Sequence, residues 1–260
     1  MARMYPLFSS SSGNCTYIGD EHSGLLVDAG VSCKRICNAL TERDIPENAV
    51  RGILVTHIHG DHISGLKVLS KKLKVPVYSI AGNLRLLEDS GKVWEGCELK
   101  EVSSTTDVSG FGVTAFDTPH DTPVSCGFRI TVPSGESCAV CTDLGEVTDS
   151  IHEQLRQCRL VLLESNYDED MLRNGPYPWD LKKRIASSHG HLSNKDCASE
   201  LARLVKEGVY SFVLGHISQH NNTPQLAESC AVKGLSDYER GEDYLLTAAR
   251  PDGTGRAVIF

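Results

Sequence analysis

A chain of 260 residues is long enough to bury a real core and suits one large domain or two small ones. With 40% hydrophobic and 23% charged residues it has the composition of an ordinary soluble globular enzyme, and no apolar stretch approaches the length of a membrane span. The net charge of −8 argues against binding nucleic acid by bulk charge, so a polyanionic substrate would need a local basic patch.

The opening Met1-Ala2-Arg3-Met4-Tyr5-Pro6 lacks the apolar core of a signal peptide, and ten cysteines in an unexported chain predict reduced thiols in a cytoplasm. Cys33-x-x-x-Cys37 and Cys138-x-x-Cys141 fall in helical and strand patterns and read as small buried side chains, not as paired thiolate knuckles. Tyr5–Phe8 predicts a strand, followed by the tight loop Ser9-Ser10-Ser11-Ser12-Gly13-Asn14. That loop can offer N–H groups and hydroxyls to a phosphate, with Ser11, Ser12 and Asn14 as the candidates, or it can simply close a hairpin. Strands follow at Cys15–Ile18 and Gly24–Asp28, then a helix through Ile36 and Leu40 to Arg43.

The apolar run Gly52-Ile53-Leu54-Val55 reads as a buried parallel strand. Directly after it comes Thr56-His57-Ile58-His59-Gly60-Asp61-His62, which places three imidazoles and a carboxylate within six residues. Residues two apart in extended chain project to one side, so His57 and His59 can grip one ion. Gly60 lets the chain turn, and Asp61 and His62 open a helix carrying Ile63, Leu66, Leu69 and Leu73, from which they can hold a second ion. The stretch therefore predicts half of a two-metal site.

Pro76–Ile80 is a short predicted strand and 83–89 a weak helix; Val102, Val108 and Phe111–Phe116 mark antiparallel strands, continued by Gly127–Val132 and Ser137–Thr142. The second half has an α/β rhythm. Thr148 caps a helix with Ile151 and Leu155, Leu160–Leu163 is a buried strand ending at Glu164, and a short basic helix carries Leu181 and Ile185. Ser193-x-x-Asp196 predicts a capping box for a helix through Val205, Tyr210–Leu214 is a strand, and Thr223-Pro224 starts a helix closing near Gly234. Strands at 243–247 and 257–260 complete the chain. With no repeat or linker, one domain over 1–260 is expected, as two sheets between helices.

Further ligands should sit just after strands, because strand ends converge on one edge of a sheet. His120, Asp143 and His216 do, with His220 a less well placed competitor of His216. His22 and His152 read as solvated surface residues, and His189 and His191 share a loop. His191 precedes the helix start at Ser193, where a backbone dipole and a proton donor can meet a developing anion. Lys182, Lys183 and Arg184, between Glu164 and His191, are the candidate phosphate patch, with Lys67, Lys71, Lys72 and Lys74 a second one.

Taken in order, His57-x-His59-x-Asp61-His62, His120, Asp143 and His216 resemble the successive metal motifs of the metallo-β-lactamase superfamily. Leu163-Glu164-Ser165-Asn166, Gly190-His191-Leu192-Ser193 and Leu214-Gly215-His216-Ile217-Ser218 are similar to late ribonuclease Z motifs. Closer still, Ser10–Asn14, Thr142–Gly145, Gly175-Pro176-Tyr177-Pro178-Trp179, Gly190–Asn194 and Asn221-Asn222-Thr223-Pro224 look like the YycJ/WalJ family of bacterial metallohydrolases, with a serine-rich start and many cysteines as departures.

The resemblance implies an α/β fold, a four-layer αββα sandwich, and two divalent ions. His57, His59 and His120 would hold one ion and Asp61, His62 and His216 the other, with Asp143 and a hydroxide between them and Asp61 orienting that nucleophile. Glu164 and His191 would assist catalysis. Donors without thiolate suit Zn or Mn, with Fe a third candidate. The implied activity is a metal-dependent phosphodiesterase, a 5′-to-3′ DNA exonuclease in the cytoplasm with no membrane partner. The alternatives are a thioester or lactone hydrolase of the glyoxalase II branch and an RNA-directed nuclease; the sequence sets no oligomeric state.

Overall fold

In the computed structural model, residues 2–251 and 255–260 are described. Their contacts group into two compact units. One comprises Met1–Ala115, Ile130–Glu136 and Arg250–Phe260, the other Phe116–Arg129 and Ser137–Ala249.

The first unit begins with the strands β1 (Arg3–Phe8), β2 (Cys15–Gly19) and β3 (Gly24–Val27), paired antiparallel in sequence. Helix α1 (Cys33–Thr41) follows, capped by the Ser32 hydroxyl, and buries Ile36, Cys37 and Leu40 on one face. After a 3-10 turn at Glu47–Ala49, β4 (Val50–Leu54) returns parallel to β3.

The predicted helix from Asp61 to Leu73 is interrupted. It forms as α2 (Gly60–Ile63) and α3 (Leu66–Leu73), separated at Ser64-Gly65. The cause is a close approach. The Gly65 N–H donates to the Ala29 carbonyl at 2.9 Å, and a Cβ there would lie 2.0 Å from the Val31 oxygen. The chain bends to dock, and the metal stretch sits on the first short piece.

Strand β5 (Val77–Ser79), helix α4 (Ala81–Asp89) and strand β6 (Leu99–Glu101) extend the sheet in parallel, and β6, three half-buried or exposed residues, carries no periodicity that could announce it. Val102 lies just beyond it. The order of this sheet is Val258–Ile259, then β1 through β6 in sequence. Leu7, Tyr17, Leu26, Leu40, Ile53 and Leu69 are among its core residues.

The second sheet contains β7 (Thr105–Val108), β8 (Phe111–Asp117), β9 (Cys126–Thr131), β10 (Ser137–Cys141), β11 (Leu160–Glu164), β12 (Ser211–Gly215) and β13 (Leu245–Ala248), in sequence order across the sheet. β7 and β8 pair antiparallel as expected, whereas β10 through β13 are parallel. Burial on both faces explains why β10, β11 and β12 are nearly continuous apolar runs.

Helices α5 (Asp149–Leu155), α6 (Glu169–Asn174), α7 (Trp179–Ile185), α8 (Asn194–Lys206) and α9 (Pro224–Gly234) belong to the second unit. The predicted caps form. Thr148, Ser193 and Thr223 accept from the N–H groups of Ile151, Asp196 and Leu226. α8 turns Cys197, Leu201, Leu204 and Val205 into a core with Val161, Leu163, Phe212 and Leu214. Truncating Leu201 to alanine there would cost about 2–5 kcal/mol. No helix among the described residues is long and apolar enough to cross a membrane.

Candidate metal centre

In the first unit, β3 and β4 are parallel, so Asp28 and Thr56-His57 leave the sheet at the same edge. The buried Asp28 carboxylate accepts the Thr56 N–H at 2.9 Å and the Thr56 hydroxyl at 2.9 and 3.1 Å, and lies 2.7 Å from His62 Nδ1. A histidine bonded this way at Nδ1 coordinates through Nε2. The Thr56 hydroxyl is also 3.0 Å from His57 Nδ1. The His57 ring centroid lies 4.1 Å from that of His62 and 4.7 Å from that of His59, edge to face in the second case. His57 and His62 are buried, while His59 and Asp61 are half-buried.

Asn14 differs from the expectation of a substrate contact. It is buried, its amide donates to the Ser10 carbonyl at 3.0 Å and lies 3.0 Å from His62 Nε2 and 3.4 Å from Asp61 Oδ2. The Asn14 N–H donates to the Asp61 carbonyl at 2.8 Å, and its own carbonyl accepts the Gly30 N–H at 2.7 Å. The serine loop is thus clipped to the metal stretch. Gly30 permits this approach, since a Cβ there would fall 1.7 Å from the Asp61 oxygen. Ser11 and Ser12 stay exposed.

In the second unit the parallel strands β10, β11 and β12 deliver Asp143, Glu164 and His216 at one edge, and His120 follows β8. Glu164 is fully buried and ties three segments together. Its Oε1 lies 2.9 Å from His191 Nδ1 and 2.6 Å from His216 Nδ1, and its Oε2 accepts the N–H groups of Leu144 at 3.2 Å and Leu192 at 3.0 Å. Burial would push this carboxyl up, but the imidazoles of His191 and His216 outweigh it and hold the pKa down at about 2. Burial likewise works against a charged His191, and Glu164 outweighs it, raising the His191 pKa.

Asp143 Oδ1 lies 3.5 Å from His216 Nδ1 and 3.7 Å from His120 Nε2, while His120 Nδ1 is 3.0 Å from the Gly190 carbonyl. The Asn166 amide donates to the His216 carbonyl at 2.8 Å. Donor atoms of Asp143, Glu164, His191 and His216 fall within 4.8 Å of one another. The cluster in each unit is imidazole and carboxylate, a donor set that fits borderline and hard divalent cations, and no cysteine joins a metal-compatible cluster among the described residues.

Backbone conformation marks the same residues. Among the described residues, six other than glycine have positive φ, and three of them are Asp28 at 63°, Asp143 at 60° and His216 at 49°. Such conformations cost on the order of 1–3 kcal/mol each and concentrate at functional sites.

The candidate phosphate patch is partly engaged within the protein. Lys182 Nζ donates to the Arg173 carbonyl at 2.8 Å, Arg184 pairs with Asp121, and Lys183 Nζ lies 5.4 Å above the Trp179 ring. Of the alternative patch, Lys72 pairs with Glu47. His22, His189 and His220 are exposed. His152 corrects the expectation of a surface residue. It is buried, with Nδ1 2.5 Å from Glu200 and Nε2 3.3 Å from Glu207, because its helical position turns it toward α8.

Residues 24–217 match the family model described as the β-lactamase superfamily domain. The chain belongs to the β-lactamase superfamily. Within this superfamily, a Bacillus anthracis protein named exodeoxyribonuclease YycJ is 36% identical over 89% of this chain and 88% of its own. The exodeoxyribonuclease WalJ of Streptococcus pneumoniae is 34% identical over 95% of this chain and 93% of its own. The crystal structure of the metallo-β-lactamase fold protein YhfI from Bacillus subtilis superposes over 100% of both chains with a TM-score of 0.73 at 16% identity, which shows the fold. The α/β class expected from the sequence is therefore that of this superfamily, with two mixed sheets and helices, and the superfamily fold implies divalent metal ions.

Nothing in the sequence marks Asp28 as the partner of His62. A strand-end aspartate before Ala-Gly looks like any turn residue, and only its left-handed φ and its contact with His62, 34 positions on, reveal it.

Proposed function

We propose that this chain is a metal-dependent exodeoxyribonuclease, a single cytoplasmic hydrolase domain over 1–260 that removes nucleotides from the 5′ end toward the 3′ end. The observation that carries the reading is Glu164 holding His191 and His216 at once, within a chain about one third identical to two exodeoxyribonucleases over most of its length. One carboxylate then fixes both a metal-binding imidazole and a proton-donating one.

His57, His59 and His120 would hold one divalent ion, Asp61, His62 and His216 a second, and Asp143 both. Zn or Mn, with Fe as a third candidate, fits these donors. Such ions supply Lewis acidity and bring the pKa of water toward neutrality. The chain's own groups do the rest. Asp28 and Glu164 fix the tautomers of His62 and His216. Asp61, half-buried beside His62, would hold an ion through one carboxylate oxygen and orient the attacking water with the other. His191, engaged by Glu164 at Nδ1, works through Nε2 and gives a proton to the leaving 3′-oxygen. Ser11, Ser12 and Lys183 contact the substrate chain, and Lys182 and Arg184 add positive charge for its phosphates.

A matched digestion tests this. DNA and RNA labelled at the 5′ or 3′ end are incubated with the metal-loaded protein beside a thioester assay. Stepwise loss of DNA from the 5′ end without thioester turnover is expected. Thioester turnover alone, or a preference for RNA, would overturn the assignment.

A further inference from the structure

The second unit carries a cleft in which the cationic residues Lys182 and Lys183 adjoin an aromatic wall to which the chemistry above gives no role. Its volume is about 420 Å³, and Tyr167, Leu172, Arg173, Trp179, Lys182 and Lys183 line it. Trp179, one of two tryptophans in the chain, is 65% exposed. Helix α7, which it opens, has no buried residue although it includes Trp179, Leu181 and Ile185. A seven-residue helix is marginal in water without packing. This one is held through its backbone, because the Ile185 carbonyl accepts the N–H of His191 at 2.9 Å. A Cβ on Gly190 would lie 2.2 Å from the carbonyl oxygens of Arg184 and Ile185, so the loop carrying His191 lies flat against the helix end.

The backbone that carries the exposed ring is therefore held against the loop of His191. Six residue steps along the helix place Trp179 about 9 Å from the end that His191 touches, one or two nucleotides along a bound strand. Charge points to the same occupant. Glu169 at the cleft is paired with Lys195 and Arg173 with Asp170, so Lys182 and Lys183 leave it cationic. Lys183 Nζ is 5.4 Å from the Trp179 ring centroid, so a base stacked on the indole brings its phosphate within reach of that ammonium. The volume suits one nucleotide, not a duplex.

We propose that this cleft is a nucleotide subsite, in which an unpaired base of a single-stranded end stacks on Trp179 and Lys183 binds the adjoining phosphate. The proposal rests on the phosphodiesterase reading and adds to it a demand for an unstacked base. Paired bases are stacked within their duplex, so blunt ends must fray before they can use the site.

The test uses metal-loaded full-length protein and cleavage-resistant phosphorothioate eight-mers. In the W94F variant, Trp179 emission should be quenched by a base-bearing single strand and not by an abasic strand of equal charge. W179A should bind the base-bearing strand about 5- to 100-fold more weakly, with W179F recovering most of the loss. Because Trp179 is exposed, these variants should keep the wild-type melting temperature. Equal affinity of W179A, or equal quenching by the abasic strand, would overturn the subsite while leaving the nuclease reading intact. Trp179 emission that shifts with protein concentration alone would overturn it in favour of a self-association surface. Failure of the wild type to bind or degrade any oligonucleotide would defeat the nuclease reading itself.

Discussion

Each unit builds a cluster of imidazoles and carboxylates on one buried carboxylate at a strand end, Asp28 after β3 and Glu164 at the end of β11, but the two carboxylates do different work. Asp28 braces one contiguous stretch, bonding Thr56 and His62. Glu164 gathers the loops after β10 and β12 and the loop before α8, accepting from Leu144, Leu192, His191 and His216. A local cluster needs its carboxylate to set one tautomer. A dispersed cluster needs it to bring its members together at all.

The largest effect should come from the donors themselves. Asp143→Ala should lose bound metal and lower DNA degradation by more than about 10⁴-fold, checked by metal analysis of the purified protein. His191→Ala should keep the metal and reduce turnover by about 10²–10⁴-fold. Equal loss of metal in that variant would make His191 a ligand and erase its distinction from His216.

The two carboxylates then separate. Glu164→Gln and Asp28→Asn should each weaken metal affinity by about 10–100-fold, with Glu164→Gln at the upper end and slower in turnover as well. The reverse order, measured by metal titration, would break the contrast between the clusters.

The smallest effect concerns the packing behind the dispersed cluster. Burial pulls the His152 pKa down from 6.5, but the carboxylates of Glu200 and Glu207 outweigh it and leave it raised. A raised value in the folded state stabilises fully below 6.5, and the gain is lost as pH rises through the raised pKa. His152→Gln should cost about 1.5–3 kcal/mol at pH 6. It should also flatten the decline of melting temperature with rising pH, without changing bound metal.

The same contrast decides what the sequence could reveal. The cluster from His57 to His62 was legible as candidate donors because these residues are contiguous and follow an apolar run; Asp143 and His216 stood out because each follows one. The partners that orient them were harder to read. Asp28 acts across 34 positions, and His152 meets Glu200 across 48, so neither leaves a local pattern. Among the elements, α6 was missed because only Leu172 of its six residues is buried, and the break before α3 because Val31, far upstream, imposes it.

Anomalous diffraction from crystals grown with zinc or manganese tests the central claim most directly. Two ions per chain are expected, with Asp143 touching both and His216 on the one shared with Asp61 and His62. A protein that degrades DNA while holding one ion or none, or in which Asp143 and His216 point away from the metal, would contradict it.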